Sequence, residues 1–233
     1  MDHSRTELLI GEDGVRKLSR AHVAIFGLGG VGGYALEAVA RAGIGHLYLF
    51  DFDVVQPSNL NRQILAAESS IGMTKTDAAL RRIKDINPGA EVIVQSTRIT
   101  GENVGGIIPH HIGYAIDAID ELDAKVALIS ALRGMGIAFV SSMGAGNKLN
   151  PGGIKVADIS RTSHCPLARK VRKMLKSRGI TDGVPCIYSE EVRKGERKEP
   201  ESDMRTVGSI SYLPGIFGLT AAGVIINRML SEP

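Results

Sequence analysis

The stretch His22-Val23-Ala24-Ile25-Phe26-Gly27-Leu28-Gly29-Gly30-Val31-Gly32 decides the fold. A short apolar strand runs directly into a glycine cluster, and helical spacing follows to about Arg41. Glycines at Gly27, Gly29, Gly30 and Gly32 permit a tight turn and let backbone amides approach a phosphate at a helix N-terminus. Asp51 stands 24 residues after Gly27, at the end of a second strand over Leu47–Asp51. A carboxylate in that place can hold ribose hydroxyls. Strand, loop, helix and acid together point to a bound nucleotide, and by themselves do not separate NAD from ATP.

The chain continues in the same rhythm. Residues 1–20 read as a helical lead-in and residues 52–72 as a long polar loop. Met73 to Asn87 has helical spacing ended by Pro88-Gly89. Val92–Ser96, Tyr114–Ile119 and Ile137–Ser142 read as strands, with a helix between the last two. Strands alternating with helices at this spacing define an α/β chain with a Rossmann-like, doubly wound, mostly parallel sheet. After residue 142 the rhythm loosens into a C-terminal extension. Residues 145–158 read as short antiparallel strands joined by Pro151-Gly152-Gly153, residues 164–178 as a helix, and residues 190–205 as a charged loop. The expectation is one domain over 1–233, with a nucleotide-binding core at 1–142 and a substrate-facing extension at 143–233.

With 43% hydrophobic residues among 233, the chain can bury a sizeable core. The net charge of +3 is small, but residues 160–205 hold 12 Lys and Arg against 7 Asp and Glu, so one segment suits an anionic partner. Two cysteines, Cys165 and Cys186, exclude a four-cysteine zinc site within one chain. The apolar stretch from Tyr212 to Leu230 contains Pro214, glycines, Asn227 and Arg228. A buried C-terminal helix fits that composition better than a membrane span, and the expected compartment is the cytoplasm.

The loop after Asp51 favours ATP. It carries Asp53, then Asn59, Arg62 and Gln63, then Lys75 at a helix start. Arg62 and Lys75 can neutralise a triphosphate as pyrophosphate leaves, and the helix dipole adds to the positive potential at Lys75. A dehydrogenase has no need of that pair. Asn59 can donate to phosphate or orient the arginine. Asp117 and Asp120 end an apolar strand, where acids are costly unless paired or metal-bound. Magnesium bridging ATP phosphates would satisfy one of them, Asp120 for preference, and N-capping of the next helix is the alternative for it.

Together these residues resemble the ubiquitin-activating-like adenylyltransferases, a superfamily that includes the molybdopterin and thiamine sulfur-carrier activators. The resemblance covers residue 5 to about 142. It implies that Arg5, in Arg5-Thr6-Glu7-Leu8-Leu9-Ile10-Gly11, reaches the ATP of a second protomer, and hence a homodimer. The two CxxC pairs usual in sulfur-carrier activators are absent. Gly144-Ala145-Gly146, Asp158-Ile159-Ser160, Pro166–Arg172 and Gly183–Ser189 look like the branch that dehydrates threonylcarbamoyladenosine in tRNA to its cyclic form. That branch implies ATP and Mg²⁺, with a monovalent cation allowed. Its ATP adenylates the threonyl carboxylate, and an internal nucleophile then closes a ring and expels AMP. The alternative implied by the wider family is activation of a ubiquitin-like sulfur carrier at its C-terminus, with sulfur-transfer proteins as partners.

Residues 164–178 carry Arg169, Lys170, Arg172, Lys173, Lys176 and Arg178 with no acid. Leu167, Val171, Met174 and Leu175 fall on one helical face and Arg169, Arg172, Lys173 and Lys176 on the other, which suits RNA phosphates. Cys186 reads as a buried structural cysteine rather than a thioester nucleophile, and Cys165 as a helix-terminus residue. His110, His111 and His164 lack ligand spacing and read as solvated or capping.

Overall fold

The computed structural model describes residues 1–192 and 207–232. The charged loop expected at 190–205 lies almost wholly outside the described residues. In chain order the elements are α1 (Ser4–Arg20), β1 (His22–Phe26), α2 (Gly32–Arg41), β2 (His46–Phe50), α3 (Lys75–Ile86), β3 (Glu91–Gln95), α4 (Val104–Ile107), β4 (Tyr114–Asp117), α5 (Leu122–Gly134), β5 (Ala138–Ser142), β6 (Ile154–Asp158), α6 (Pro166–Lys176), β7 (Pro185–Ser189) and α7 (Leu213–Ser231). The lead-in helix is broken at Gly11, whose φ of 72° and ψ of 169° are not helical.

Seven strands form one sheet in the order β3-β2-β1-β4-β5-β7-β6. All neighbours are parallel except β6, which runs antiparallel to β7. The expected hairpin within 145–158 is therefore not formed. Pro151–Gly153 makes a 3-10 turn, and the strand after it finds its partner in β7, nearly thirty residues on. Sequence alone shows an extended run with a Pro-Gly-Gly break, and that signature fits a hairpin and a sheet edge equally.

Alternation along β1 explains the layers. Val23 and Ile25 face α2, α3 and α7, while Ala24 and Phe26 face α5 and α6. The ring of Phe26 stacks on Phe50 with centroids 4.5 Å apart. α7 is long and apolar enough in composition to cross a membrane. Here it packs on α2 and the sheet, burying Leu213, Phe217, Ala221, Ala222, Ile225 and Met229, so it is the core helix expected from its glycines and Pro214. Truncating a side chain such as Phe217 would cost about 3–5 kcal/mol.

Candidate functional site: a nucleotide cleft at the strand switch

β1 has β2 on one side and β4 on the other, so chain order reverses between β1 and β4. The carboxyl ends of these two strands diverge into helices on opposite faces and leave a crevice. A cleft of about 1050 Å³ opens there. Gly27, Gly29, Gly30, Asp51, Asp53, Asn59, Arg62, Gln63, Lys75 and Asp120 all line it. Most of the dispersed residues singled out in the first half of the sequence thus converge on one space, with Arg5, Gly32 and Asp117 the exceptions.

The glycine loop is built by close approach. Gly27 has φ 87°, and a Cβ on it would lie 2.8 Å from the carbonyl oxygen of Ala118. A Cβ on Gly32 would overlap the carbonyl oxygen of Gly27, so Gly32 packs beneath the loop and does not line the cleft. The Leu28 amide donates to Asp51 Oδ2 at 2.6 Å, and the Asp53 amide to Oδ1 at 2.9 Å. Asp51 is thereby fixed at the loop's edge. Burial pushes its carboxyl up from the ordinary value, opposed by the Lys75 ammonium and these two amides.

Lys75 is the first residue of α3, which Thr74 caps by accepting from the Asp77 amide at 3.0 Å. Its Nζ lies 2.6 Å from Asp53 Oδ2 and 3.9 Å from Asp51 Oδ1, with the side chain nearly buried. This ammonium is available to a triphosphate only by sharing it with Asp53. Arg62 is half-buried and tethered: Nη1 donates to the Ser58 carbonyl at 3.0 Å and to Asn61 Oδ1 at 2.9 Å. Asn59 is buried, and its Oδ1 accepts from the Gln56 amide at 3.1 Å. Its carbonyl group holds the loop, leaving its NH₂ for a ligand.

The two strand-end acids separate. Asp120 is exposed at the cleft and makes no hydrogen bond or ion pair among the described residues. Glu121, and not Asp120, occupies the N-cap position of α5. Asp117 is fully buried, 2.7 Å from Lys125 Nζ, which is also fully buried, and accepts from the Ser141 hydroxyl at 2.6 Å and the Ile119 amide at 3.0 Å. It does not line the cleft, and its carboxylate is committed to holding β4, β5 and α5 together. Spacing could not tell the two acids apart, because the partner of Asp117 comes from the next helix. Among the described residues no group of three or more His, Cys, Asp or Glu could hold a metal alone. Asp120 is the one of the two acids free to hold a magnesium ion, and it would do so only with further ligands from outside these residues.

Arg5 does not line this chain's cleft. It sits on α1 beside Leu8 and Leu9, which are 90% and 85% exposed. The cations of α6, and Arg178 just beyond its end, lie outside the cleft as well. Arg169, Lys170, Lys173, Lys176 and Arg178 are exposed. Helical periodicity puts Arg172 on the outward face, but its Nη1 donates to the carbonyls of Ile159 and Thr162 and to Thr162 Oγ1. It is a brace for the turn before α6, a role set by tertiary contact and invisible to the helical period. Cys165 is the N-cap of α6, and Cys186 is buried on β7, where burial drives its thiol far above the ordinary range.

Four residues that the sequence does not place at the site also line the cleft. Arg98 stacks over the Phe52 ring at 5.2 Å and pairs with Glu121 at 3.0 Å. Lys148 is buried and donates to the Glu191 carbonyl. Asn147 and His164 have φ of 56° and 54°, and are the only non-glycine residues with positive φ among those described. Such conformers cost about 1–3 kcal/mol each and gather at functional sites. His164 is exposed, in keeping with the expectation of a solvated residue, and it also lines the cleft. A lone polar residue just before a helix carries no sequence signal that a cleft lies beside it.

Fold and cleft define a Rossmann-type nucleotide-binding protein whose phosphate loop is followed by an Asn-Arg-Lys constellation. The chain belongs to the ThiF family, whose profile matches residues 3–233. It is 38% identical over 240 residues to the tRNA threonylcarbamoyladenosine dehydratase of Bacillus subtilis, a match covering 98% of this chain and 94% of that one. The Escherichia coli dehydratase is 39% identical over 80% of this chain and 72% of its own length. A crystal structure of the E. coli enzyme in complex with ATP superposes with a TM-score of 0.89 at 35% identity, covering 98% and 93% of the two chains. The molybdopterin-synthase adenylyltransferase of Haemophilus influenzae is 33% identical over only 55% of this chain and 53% of its own.

Proposed function

We propose that this protein is an ATP-dependent tRNA threonylcarbamoyladenosine dehydratase. The observation that carries the reading is that the likeness to the dehydratases runs through both halves of the chain, over 98% of it, whereas that to a sulfur-carrier activator covers 55%. The absence of CxxC pairs points the same way.

In this reading the glycine loop and α2 N-terminus hold the phosphates, Asp51 holds the ribose, and Asn59 and Gln63 fix the triphosphate's approach. The substrate's threonyl carboxylate attacks the α-phosphorus and the bond to the β-phosphate oxygen breaks. Arg62 and Lys75 offset the charge that gathers on the departing pyrophosphate, and Asp120 is the acid that would hold a Mg²⁺ ion, which would supply further positive charge there. The adenylated carboxyl then undergoes ring closure and AMP leaves, so one water is lost from the nucleoside and one ATP becomes AMP and pyrophosphate. Arg5 completes the cleft of a second copy, a role supported by its distance from its own cleft and by the bare Leu8 and Leu9 beside it. The exposed cations of α6 meet tRNA phosphates, and the compartment is the cytoplasm.

Incubation with bulk tRNA and Mg-ATP, followed by nucleoside mass analysis, tests the reading. Threonylcarbamoyladenosine should lose the mass of one water with stoichiometric AMP. ATP consumption that depends on a protein C-terminus and not on tRNA would replace it with the sulfur-carrier reading.

A further inference from the structure

The nucleotide machinery occupies one end of the cleft. At the other end the loop after β5 meets the start of α6, where a Cβ on Gly144 would sit 3.7 Å from that of Leu167. Asn147 and His164 flank this junction, and both line the cleft.

Asn147 has a fixed orientation. Its Oδ1 accepts from the Gly208 amide at 3.0 Å, and its own amide donates to the Gly208 carbonyl at 2.7 Å. That assigns Nδ2 as a donor. Nδ2 is buried and has no hydrogen-bond partner, alone in this respect among buried side-chain polar atoms of the described residues. A buried donor left unpaired is costly, and native structures keep one where something else is to supply the acceptor. His164 is exposed, lines the same cleft, and is the only histidine to do so. Among the described residues no hydrogen bond is made by the His164 ring or by Asn147 Nδ2. Imidazole is a group that takes and gives protons near neutral pH.

We infer that Asn147 and His164 form the acceptor-side subsite of the reaction, Asn147 positioning the threonylcarbamoyl group through its urea carbonyl and His164 taking the proton released when the ring closes. The inference rests on the dehydratase reading. Ring closure demands such a proton acceptor. Whether the urea nitrogen or oxygen forms the new bond to the activated carbonyl carbon, one urea N–H proton must leave. The carbonyl carbon–oxygen bond to the phosphate breaks at the same time, and AMP departs with that electron pair. The proton passes to the free imidazole nitrogen of His164 and from there to water. Other ionisable groups of the cleft are committed elsewhere: Asp51, Asp53 and Lys75 are bound to one another at the phosphate end, where the dehydratase reading also employs Asp120, Glu121 pairs with Arg98, Lys148 is tied to Glu191, whose own carboxylate accepts from the Leu149 and Asn150 amides, and Cys165 is buried. Positioned general bases contribute about 10²–10⁴-fold.

The test uses the full-length protein with threonylcarbamoyladenosine-containing tRNA, following pyrophosphate release and cyclic product separately. His164→Gly and Asn147→Gly keep the backbone conformer, because glycine adopts positive φ freely. His164→Gly should release pyrophosphate at the wild-type rate in a single turnover yet form cyclic product about 100-fold more slowly. Added imidazole should restore part of the second rate. Asn147→Gly should raise KM for the tRNA about tenfold with KM for ATP unchanged, the size expected when one buried hydrogen bond to substrate is removed. Cyclisation at the wild-type rate in His164→Gly, or its loss without rescue by imidazole, overturns the role of His164. An unaltered tRNA KM in Asn147→Gly overturns that of Asn147. If wild-type protein forms no cyclic product at all, the dehydratase reading fails first, and the two failures are distinguishable.

Discussion

Two aspartates three residues apart have opposite fates, and substitutions should expose the difference. Asp120 is exposed and unpaired among the described residues, so Asp120→Ala should leave the unfolding free energy within about 0.5 kcal/mol of wild type. Turnover should fall at least about 100-fold if it shares the phosphate-bound magnesium. Asp117→Ala strands the ammonium of Lys125, which is 0% exposed. It should destabilise by about 3–5 kcal/mol. Thermal unfolding and product formation measured on both variants decide the matter, and full activity in Asp120→Ala would remove that acid from the metal site. From the sequence both residues are legible as acids ending an apolar strand. Their division is not, because it depends on Lys125 reaching back from α5 and Ser141 reaching across from β5.

Two elements carry predictions of their own. The exposed cations of α6 are not equivalent to Arg172. Replacing Arg169, Lys170, Lys173 and Lys176 by Gln should weaken tRNA binding across tRNA species and flatten its salt dependence, by about 0.7–0.9 in slope for each phosphate no longer neutralised. Arg172→Gln should lower the melting temperature and leave that slope unchanged. Affinities at several salt concentrations separate these outcomes, and an unchanged slope in the fourfold variant would move the RNA surface elsewhere. At the opposite rim of the sheet, the starts of β1 and β2 bring His22 against His46 with ring centroids 4.0 Å apart. The Tyr48 hydroxyl lies 3.0 Å from His22 Nδ1 and 2.6 Å from His111 Nε2, and Glu91 lies 3.1 Å from His46 Nδ1. Burial, and after it the neighbouring His46 and His111, hold His22 below the ordinary imidazole value of 6.5, against the pull of Glu91. The unfolded chain therefore binds the proton more readily than the folded one. Stability is fully present above about pH 6.5 and is lost as the pH falls through the lower folded value. The melting temperature of wild type should drop more steeply between about pH 7 and pH 5 than that of His22→Gln, and parallel curves would remove His22 as the cause.

For the molecule as a whole, the arrangement of Arg5 and Arg62 matters most. Arg5 lies away from its own cleft, on a helix whose neighbouring leucines are bare. Singly inactive Arg5→Ala and Arg62→Ala proteins should regain activity when mixed, because one of the two clefts in a hybrid dimer holds both arginines. Up to about a quarter of wild-type turnover is expected from statistical mixing of subunits. Leu8→Asp with Leu9→Asp should yield a monomer by sedimentation and abolish that rescue. Absence of rescue between subunits shown to exchange would confine Arg5 to its own chain.

The sequence by itself determined the doubly wound sheet, the glycine loop with its acid, and most of the residues that gather around the cleft at the strand switch. Each rests on local rules: strand and helix periods, the glycine demand of a turn, an acid at a strand end. A short offset along the chain is enough to read them. What came from tertiary structure is of another kind. The pairing of β6 with β7, the retirement of Asp117 and Arg172 into bracing roles, and the arrival of Asn147 and His164 in the cleft all depend on which distant segments touch. β6 meets a strand that follows a whole intervening helix, Asp117 is held by Lys125, and Arg172 by the carbonyls of Ile159 and Thr162. A side chain's type says what it can bond. Only the packed fold says which partner reaches it first, and so which polar groups remain for a substrate.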